Sequence, residues 1–277
     1  MASRIISMGT TLVGGDLPPK GFKDKNQAQG TKCLFDFTNP LCNPSSATTI
    51  PTSATFNDLA GGAGASILAG TNYRIKQTAD RHGLVYDRIG SNVTFDNLDL
   101  GTSQRFDRTK AALFMLWFKQ DADGSVTSYI PWFRRQLGVT SSNVATCQFS
   151  FDYGSDGTRA EGQATGDTDG DGDVEAFVAV SPPPVLARGA AHLVAFSFVP
   201  GTEARLFHDG VQVGVSSSAI PLALAEVPTG HIWLSLTTKG TIYRAAIEEI
   251  AAEASSTHRT ASQAVAMEWA AFNGAFV

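Results

Sequence analysis

Charge is scarce in this sequence. Asp, Glu, Lys and Arg make up 17% of its 277 residues, against roughly a quarter in ordinary soluble domains. Acidic residues outnumber basic ones, for a formal net charge of −5. There is no basic field to attract a polyanion, so nucleic acid is not an expected partner. Cysteine is scarce too, with only Cys33, Cys42 and Cys147. An odd, sparse set argues against a disulfide framework and for synthesis in a reducing cytoplasm. Cys33 and Cys42 fit plain thiols better than a pair or a shared metal, because no His or second Cys pair lies near them in sequence. Long apolar runs are missing, so no membrane span is expected. The opening Met1-Ala-Ser-Arg-Ile-Ile-Ser-Met-Gly9 has too short an apolar part for a secretion signal.

Catalytic signatures are missing as well. None of His82, His192, His208, His231 and His258 lies beside a Gly-x-Ser-x-Gly elbow or shows a His-x-x-x-His spacing. His192 and His208 fall on or beside expected strands, where a hydrogen-bonded structural role is the default. Gly61-Gly-Ala-Gly64 lacks the Gly-Lys-Ser/Thr ending of a phosphate loop.

What the chain does have is β patterning and turn chemistry. Gly, Ser, Thr and Ala take the place of the missing charge, and 43% of residues are hydrophobic, enough for a sizeable core. The segment 192–215 carries the strongest signal. Leu193, Ala195 and Ser197 alternate with Val194, Phe196 and Phe198, the period of a strand. Pro200-Gly201 ends that run. Asp209-Gly210 between two apolar runs predicts a hairpin with positive φ at both residues. Three consecutive antiparallel strands follow.

Further strands are expected at 34–37, 73–75, 84–86, 92–95, 111–118, 128–133, 146–151, 176–180, 232–236 and 241–247. The run Ala111-Leu-Phe-Met-Leu-Trp-Phe118 reads as buried on both faces. Pro131 makes its strand an edge or an irregular one. Residues 261–272 are rich in helix formers, with an apolar stripe of Ala261, Val265, Trp269 and Phe272. Thr260 is a suitable N-cap, and Asn273-Gly274 a suitable end. Residues 1–55 hold repeated prolines, and between Lys20 and Lys32 four lysines stand against Asp24 alone. They predict an extended N-terminal arm ordered against a neighbouring subunit, or else a disordered leader, leaving 56–277 as the body; the strand at 34–37 would join part of the segment to the main sheet.

Two groups invite a binding reading. In Gly166-Asp-Thr-Asp-Gly-Asp-Gly-Asp173, the residues Asp167, Asp169 and Asp171 take calcium-loop positions one, three and five, with Gly172 at six. Position twelve is Val178 and no flanking helices are evident, so the EF-hand motif is incomplete. A solvated acidic hairpin tip is the favoured reading; a looser calcium site formed by Asp167, Asp169, Asp171 and Asp173 is the alternative. No other cofactor is expected. Tyr129, Trp132 and Phe133 form either a core cluster, the favoured reading, or a platform for stacking sugar rings.

The stretch 192–272 resembles the C-terminal half of a concanavalin A-like lectin/glucanase (laminin-G-like) domain. Three pieces carry the likeness: His192-Leu-Val-Ala-Phe, Arg205-Leu-Phe-His-Asp-Gly-Val-Gln-Val-Gly, and Ile242-Tyr-Arg-Ala-Ala-Ile-Glu-Glu-Ile. Thr260-Ala-Ser-Gln-Ala-Val265 is similar to the segment that follows in that family. The resemblance implies an all-β, two-sheet antiparallel jelly-roll sandwich, with the arm in front and a short C-terminal helix behind. Glucanases of this architecture carry alternating carboxylates in a Glu-x-Asp-x-x-Glu type of motif. Glu248-Glu249, Glu253, Asp96 and Asp99 lack that spacing, so no hydrolytic activity is expected.

The low charge, proline-rich arm and laminin-G-like body together resemble surface proteins of tailed-bacteriophage virions. That likeness implies a structural tail, baseplate or head-decoration subunit, made in the host cytoplasm and located in the virion. It would be a homo-oligomer touching other virion subunits through its arm. A carbohydrate-binding module for host-surface glycan, calcium-assisted or not, is the alternative from a different class.

Overall fold

The structure is a computed structural model. It describes residues 24, 26–68, 75–77, 82–86, 97–100, 110–121, 130–136, 147–154, 157–166, 176–180, 186–217, 231–235 and 240–276. The chain is a β-sandwich of two antiparallel sheets closed by one C-terminal helix.

The first sheet runs in the order β14 (Val211–Ser216), β13 (Glu203–His208), β12 (Ala191–Val199), β7 (Ala112–Gln120), β16 (Gly240–Glu249), β5 (Leu84–Tyr86) and β4 (Ile75–Lys76). β1 (Thr31–Asp36) also pairs with β16, alongside residues 244–248. The second sheet runs β11 (Ala176–Val180), β10 (Gly157–Gly166), β9 (Cys147–Gly154), β8 (Ile130–Gln136), β15 (His231–Ser235), β6 (Asn97–Asp99), β3 (Ala65–Leu68) and β2 (Thr55–Phe56).

Local sequence chemistry explains the centre of the first sheet. β7, β12 and β16 are buried along nearly their whole length, as an apolar run without alternation requires when both faces are covered. The Asp209-Gly210 turn has φ of 49° and 86°, as expected of the type I′ hairpin. Pro131 leaves β8 between β9 and β15, not at an edge. The cost appears as a shift of register between Pro131 and Phe133, where the missing N–H would break a ladder bond.

The outer face of the first sheet is closed by α1 (Ala261–Phe272). Thr260 and Gln263 form a reciprocal capping box at its start, which satisfies two otherwise orphaned N–H groups. Beneath it runs one register row: Asp36 on β1, Arg244 on β16, Trp117 on β7 and Leu193 on β12. Arg244 is 1% exposed. Its Nε donates to Glu268 of α1 at 2.7 Å, and its two Nη atoms donate to Asp24 at 2.7 and 2.9 Å. Asp36 lies 3.4 Å away, and the guanidinium sits 4.3 Å over the Phe272 ring. Glu268 also accepts from Trp117 Nε1 at 3.1 Å and Asn26 Nδ2 at 2.6 Å. Burial alone would lower the Arg244 pKa, but Glu268, Asp24 and Asp36 push it up further, so the side chain stays charged. Trp117 stacks on Trp269 at 5.3 Å and meets Phe276 edge-on at 5.2 Å.

The strand expected at 34–37, within the N-terminal segment, is present as β1. β1 enters the first sheet, and Phe35, Phe37, Cys42, Ile50 and Phe56 have no exposed surface. Arg259 clamps Glu248 with two hydrogen bonds of 2.6 and 2.7 Å and reaches the Asn26 carbonyl at 2.8 Å. Residues 26–59 therefore belong to the sandwich. The prolines there shape loops that lie against its core, so apolar side chains between the turns find burial that the segment cannot supply alone. Residues 1–23 lie outside the described residues. Cys33 and Cys42 are separate, buried thiols.

Candidate functional site

With α1 seated on the first sheet, the second sheet offers the other broad face. Side chains alternate along each strand, so register decides which residues share a face. One row across seven strands reads Ile67, Leu98, Leu234, Phe133, Phe149, Gly162 and Val180. Leu98 has no exposed surface and Ile67 packs against the core, so this is the apolar row. The adjacent row reads Ser66, Asp99, Trp233, Arg134, Gln148, Gln163 and Ala179. Ser66 is exposed and Asp99 half-buried. Two residues further along β9 and β10, Ser150 pairs with Glu161. By register, Ser66, Asp99, Trp233, Arg134, Gln148 and Gln163, with Ser150 and Glu161, thus share one parity of one sheet. Such groups supply both donors and acceptors in planar pairs.

Of the trio read first as a core cluster and otherwise as a sugar-stacking platform, β8 holds two. Tyr129 lies outside the described residues. Trp132 and Phe133 are both in β8, but Phe133 shares the register row of Leu98. Trp132 sits at the register shift, where a bulge re-aims a strand residue. Asp167, Asp169, Asp171 and Asp173 lie outside the described residues; the strands expected to flank them, β10 and β11, pair across the loop. Trp233, Arg134 and Gln148 were not legible as a group, because register joins them from strands far apart in sequence. The alternation Cys147-Gln-Phe-Ser-Phe-Asp152 was the available signal.

A second constellation occupies the β12–β13–β14 corner. Asp209 tolerates its left-handed backbone because a short polar side chain can bond locally. Its Oδ1 accepts from Leu193 N–H at 2.9 Å, and its own N–H donates to the Leu193 carbonyl at 2.8 Å. The other oxygen, Oδ2, lies 2.9 Å from His192 Nδ1 and 3.2 Å from His208 Nε2. His192 Nε2 faces the Ala187 carbonyl at 3.0 Å. His208 Nε2 is buried and lacks the alignment of a hydrogen bond. The two rings are 5.2 Å apart. Burial disfavours the charged form of His192, but hydrogen bonds to Asp209 and Ala187, and the Asp209 charge, outweigh it and raise the pKa. For His208, burial lowers the pKa, Asp209 opposes, and His192 adds to the lowering. The default structural role expected for these histidines therefore holds for His192, while His208 is left with an unmatched nitrogen.

No protein-family model matches this chain, and no curated protein matches it. Solved structures do. The binding domain of botulinum neurotoxin serotype D aligns with a TM-score of 0.53 at 8% identity, over 88% of this chain and 52% of that one. The binding domain of Paraclostridial Mosquitocidal Protein 1 aligns at 0.52 and 7%, over 82% and 51%. A Trypanosoma rangeli sialidase aligns at 0.50 and 9%, over 91% and 34%. This chain spans about a third to a half of the length of those proteins. At such identities the likeness establishes the shared β-sandwich fold, in keeping with the lectin-like architecture that the sequence resembles.

Proposed function

We propose that this chain is a carbohydrate-binding module without bond chemistry of its own, and that the polar parity of its second sheet is the glycan-binding face. The observation that carries the reading is the register row Asp99, Trp233, Arg134, Gln148 and Gln163. Sugar hydroxyls donate and accept at once, and planar amides, carboxylates and guanidinium groups engage neighbouring hydroxyls in pairs. An indole adds an apolar face for the ring's C–H side. The first sheet is unsuited, since α1 lies on its outer face. The fold likeness to the binding domains of botulinum neurotoxin serotype D and Paraclostridial Mosquitocidal Protein 1, and to a sialidase, supports the same reading. A virion scaffold would lean on a long free arm, and residues 26–59 are packed into the chain's own sandwich.

A few hydrogen bonds of about 1 kcal/mol each, plus stacking and less ordering costs, give roughly −4 to −7 kcal/mol, a Kd of roughly 10 µM to 1 mM. The test is a glycan array probed with the full chain and with an Arg134→Ala/Gln148→Ala double variant. Retention on a defined subset of glycans by the wild type, lost in the double variant, supports the reading. Retention on none of them, or equal retention by both, refutes it.

A further inference from the structure

The corner formed by His192, His208 and Asp209 is independent of the sugar-binding face and has chemistry of its own. The Ala187 carbonyl can only accept, so His192 Nε2 carries the proton of that 3.0 Å contact. Protonated, the ring donates Nδ1–H to the Asp209 carboxylate oxygen 2.9 Å away; neutral, it presents a lone pair there. In the neutral form the two lone pairs at that distance are a place that either a proton or a metal ion can fill. His208 Nε2 brings a third donor atom to the same oxygen at 3.2 Å, buried and without a hydrogen bond. All three ligand atoms lie within 4.8 Å of one another.

We propose that His192 Nδ1, His208 Nε2 and Asp209 Oδ2 bind a divalent transition-metal ion, zinc being the best match. Two imidazoles and one carboxylate are zinc ligands, whereas calcium and magnesium favour oxygen. With metal–ligand bonds of about 2.0–2.1 Å, tetrahedral zinc sets neighbouring ligand atoms about 3.3 Å apart; Asp209 Oδ2 lies 2.9 Å from His192 Nδ1 and 3.2 Å from His208 Nε2. The surrounding contacts are those of a metal site. His192 donates its other N–H to a backbone carbonyl, which fixes the tautomer. Asp209 Oδ1 is held by Leu193 N–H at 2.9 Å, which leaves Oδ2 for the ion. All three ligands stand on strand ends or a tight turn, so the site is organised before the ion arrives. Three protein ligands leave a fourth position for water. The ion would clip the end of β12 to the β13–β14 turn.

The test uses the full chain after chelator treatment. Calorimetry with zinc should show one saturable site that His192→Gln and His208→Gln each weaken roughly tenfold or more, while His258→Gln leaves it unchanged. Cobalt(II) in place of zinc should give the intense visible bands of a four-coordinate ion. In the wild-type chain, whatever the fate of the variants, zinc should shift the ring-nitrogen resonances of His192 and His208 together. Absence of saturable binding, binding indifferent to both substitutions, or ring resonances that do not move would overturn the proposal and leave a proton in the gap.

Discussion

Replacing Arg244 by Met tests what holds α1 and residue 24 to the first sheet. The substitution keeps most of the volume and removes the charge. Three carboxylates, Asp24, Asp36 and Glu268, surround the guanidinium, and the Arg244 side chain is 2% exposed with its partners at 2–9%. Burying a charge without a partner is the costly case; breaking a buried pair from one side costs about 3–5 kcal/mol. Arg205–Glu203, at 2.7 Å, is the internal control, because its partners are 35% and 24% exposed; such pairs contribute about 0–1 kcal/mol. At about 2–3 °C per kcal/mol in a domain of this size, R244M should lower Tm by about 6–15 °C, and R205M by no more than about 3 °C. The charge balance adds a finer expectation. One cation faces three anions, so Asp36→Asn, which removes the most distant anion at 3.4 Å, should cost far less than R244M. Urea denaturation followed by tryptophan fluorescence reports both, since Trp117 donates to Glu268. An R244M penalty below about 1 kcal/mol, or one matched by D36N, would show that the buried network does not secure the helix.

Gly210→Ala should destabilise by about 2–3 kcal/mol in the same assay, because φ is +86° and the new Cβ would lie 2.8 Å from the Trp269 ring; a neutral result would mean that the turn does not lie under the helix. Glu249 is held below its ordinary pKa: burial opposes, but Lys32 and Lys110 at 2.8 and 3.0 Å outweigh it, with His258 at 3.6 Å on the same carboxylate. Its folded pKa lies under the unfolded value of about 4.3, so its contribution is present above that value and is lost as pH falls through the folded one. Glu249→Gln should therefore be less stable than wild type at pH 7, by under about 1 kcal/mol given the exposed lysines, with the gap closing in acid; a gap that widens in acid would contradict the sign. Burial pushes the Cys33 and Cys42 thiols well up, helped by Asp58 for Cys33 and Asp36 for Cys42. A thiol reagent should label them only at the rate at which the sandwich opens, and fast labelling of the folded chain would contradict their burial.

Local chemistry was legible and distant pairing was not. The hairpin strands, the Asp209-Gly210 turn, β11 and the capped helix follow from neighbours within a dozen residues, and all appear where expected. Pro131 announced irregularity, and the register shift is there. Short strands such as β2, β3 and β6 carry too few residues to show a period. The N-terminal segment showed its strand at 34–37 but not its partners: Asp36 finds Arg244 across 208 positions and Asp24 across 220. No local pattern encodes that. Likewise His192 and His208 each looked structural alone. Only the hairpin's return brings both to one oxygen of Asp209. In the second sheet, Trp233, Arg134 and Gln148 became neighbours only through the registers of two strand pairs, β15–β8 and β8–β9.

The most direct measurement is calorimetric titration of the full chain with the oligosaccharide that the array retains most strongly, in parallel with Trp233→Ala and His208→Gln. Saturable binding at a Kd of roughly 10 µM to 1 mM, weakened at least about tenfold (~1.4 kcal/mol) by W233A and untouched by H208Q, is the expected result. Undiminished binding by W233A would place the sugar somewhere other than the second sheet's polar row and contradict the account.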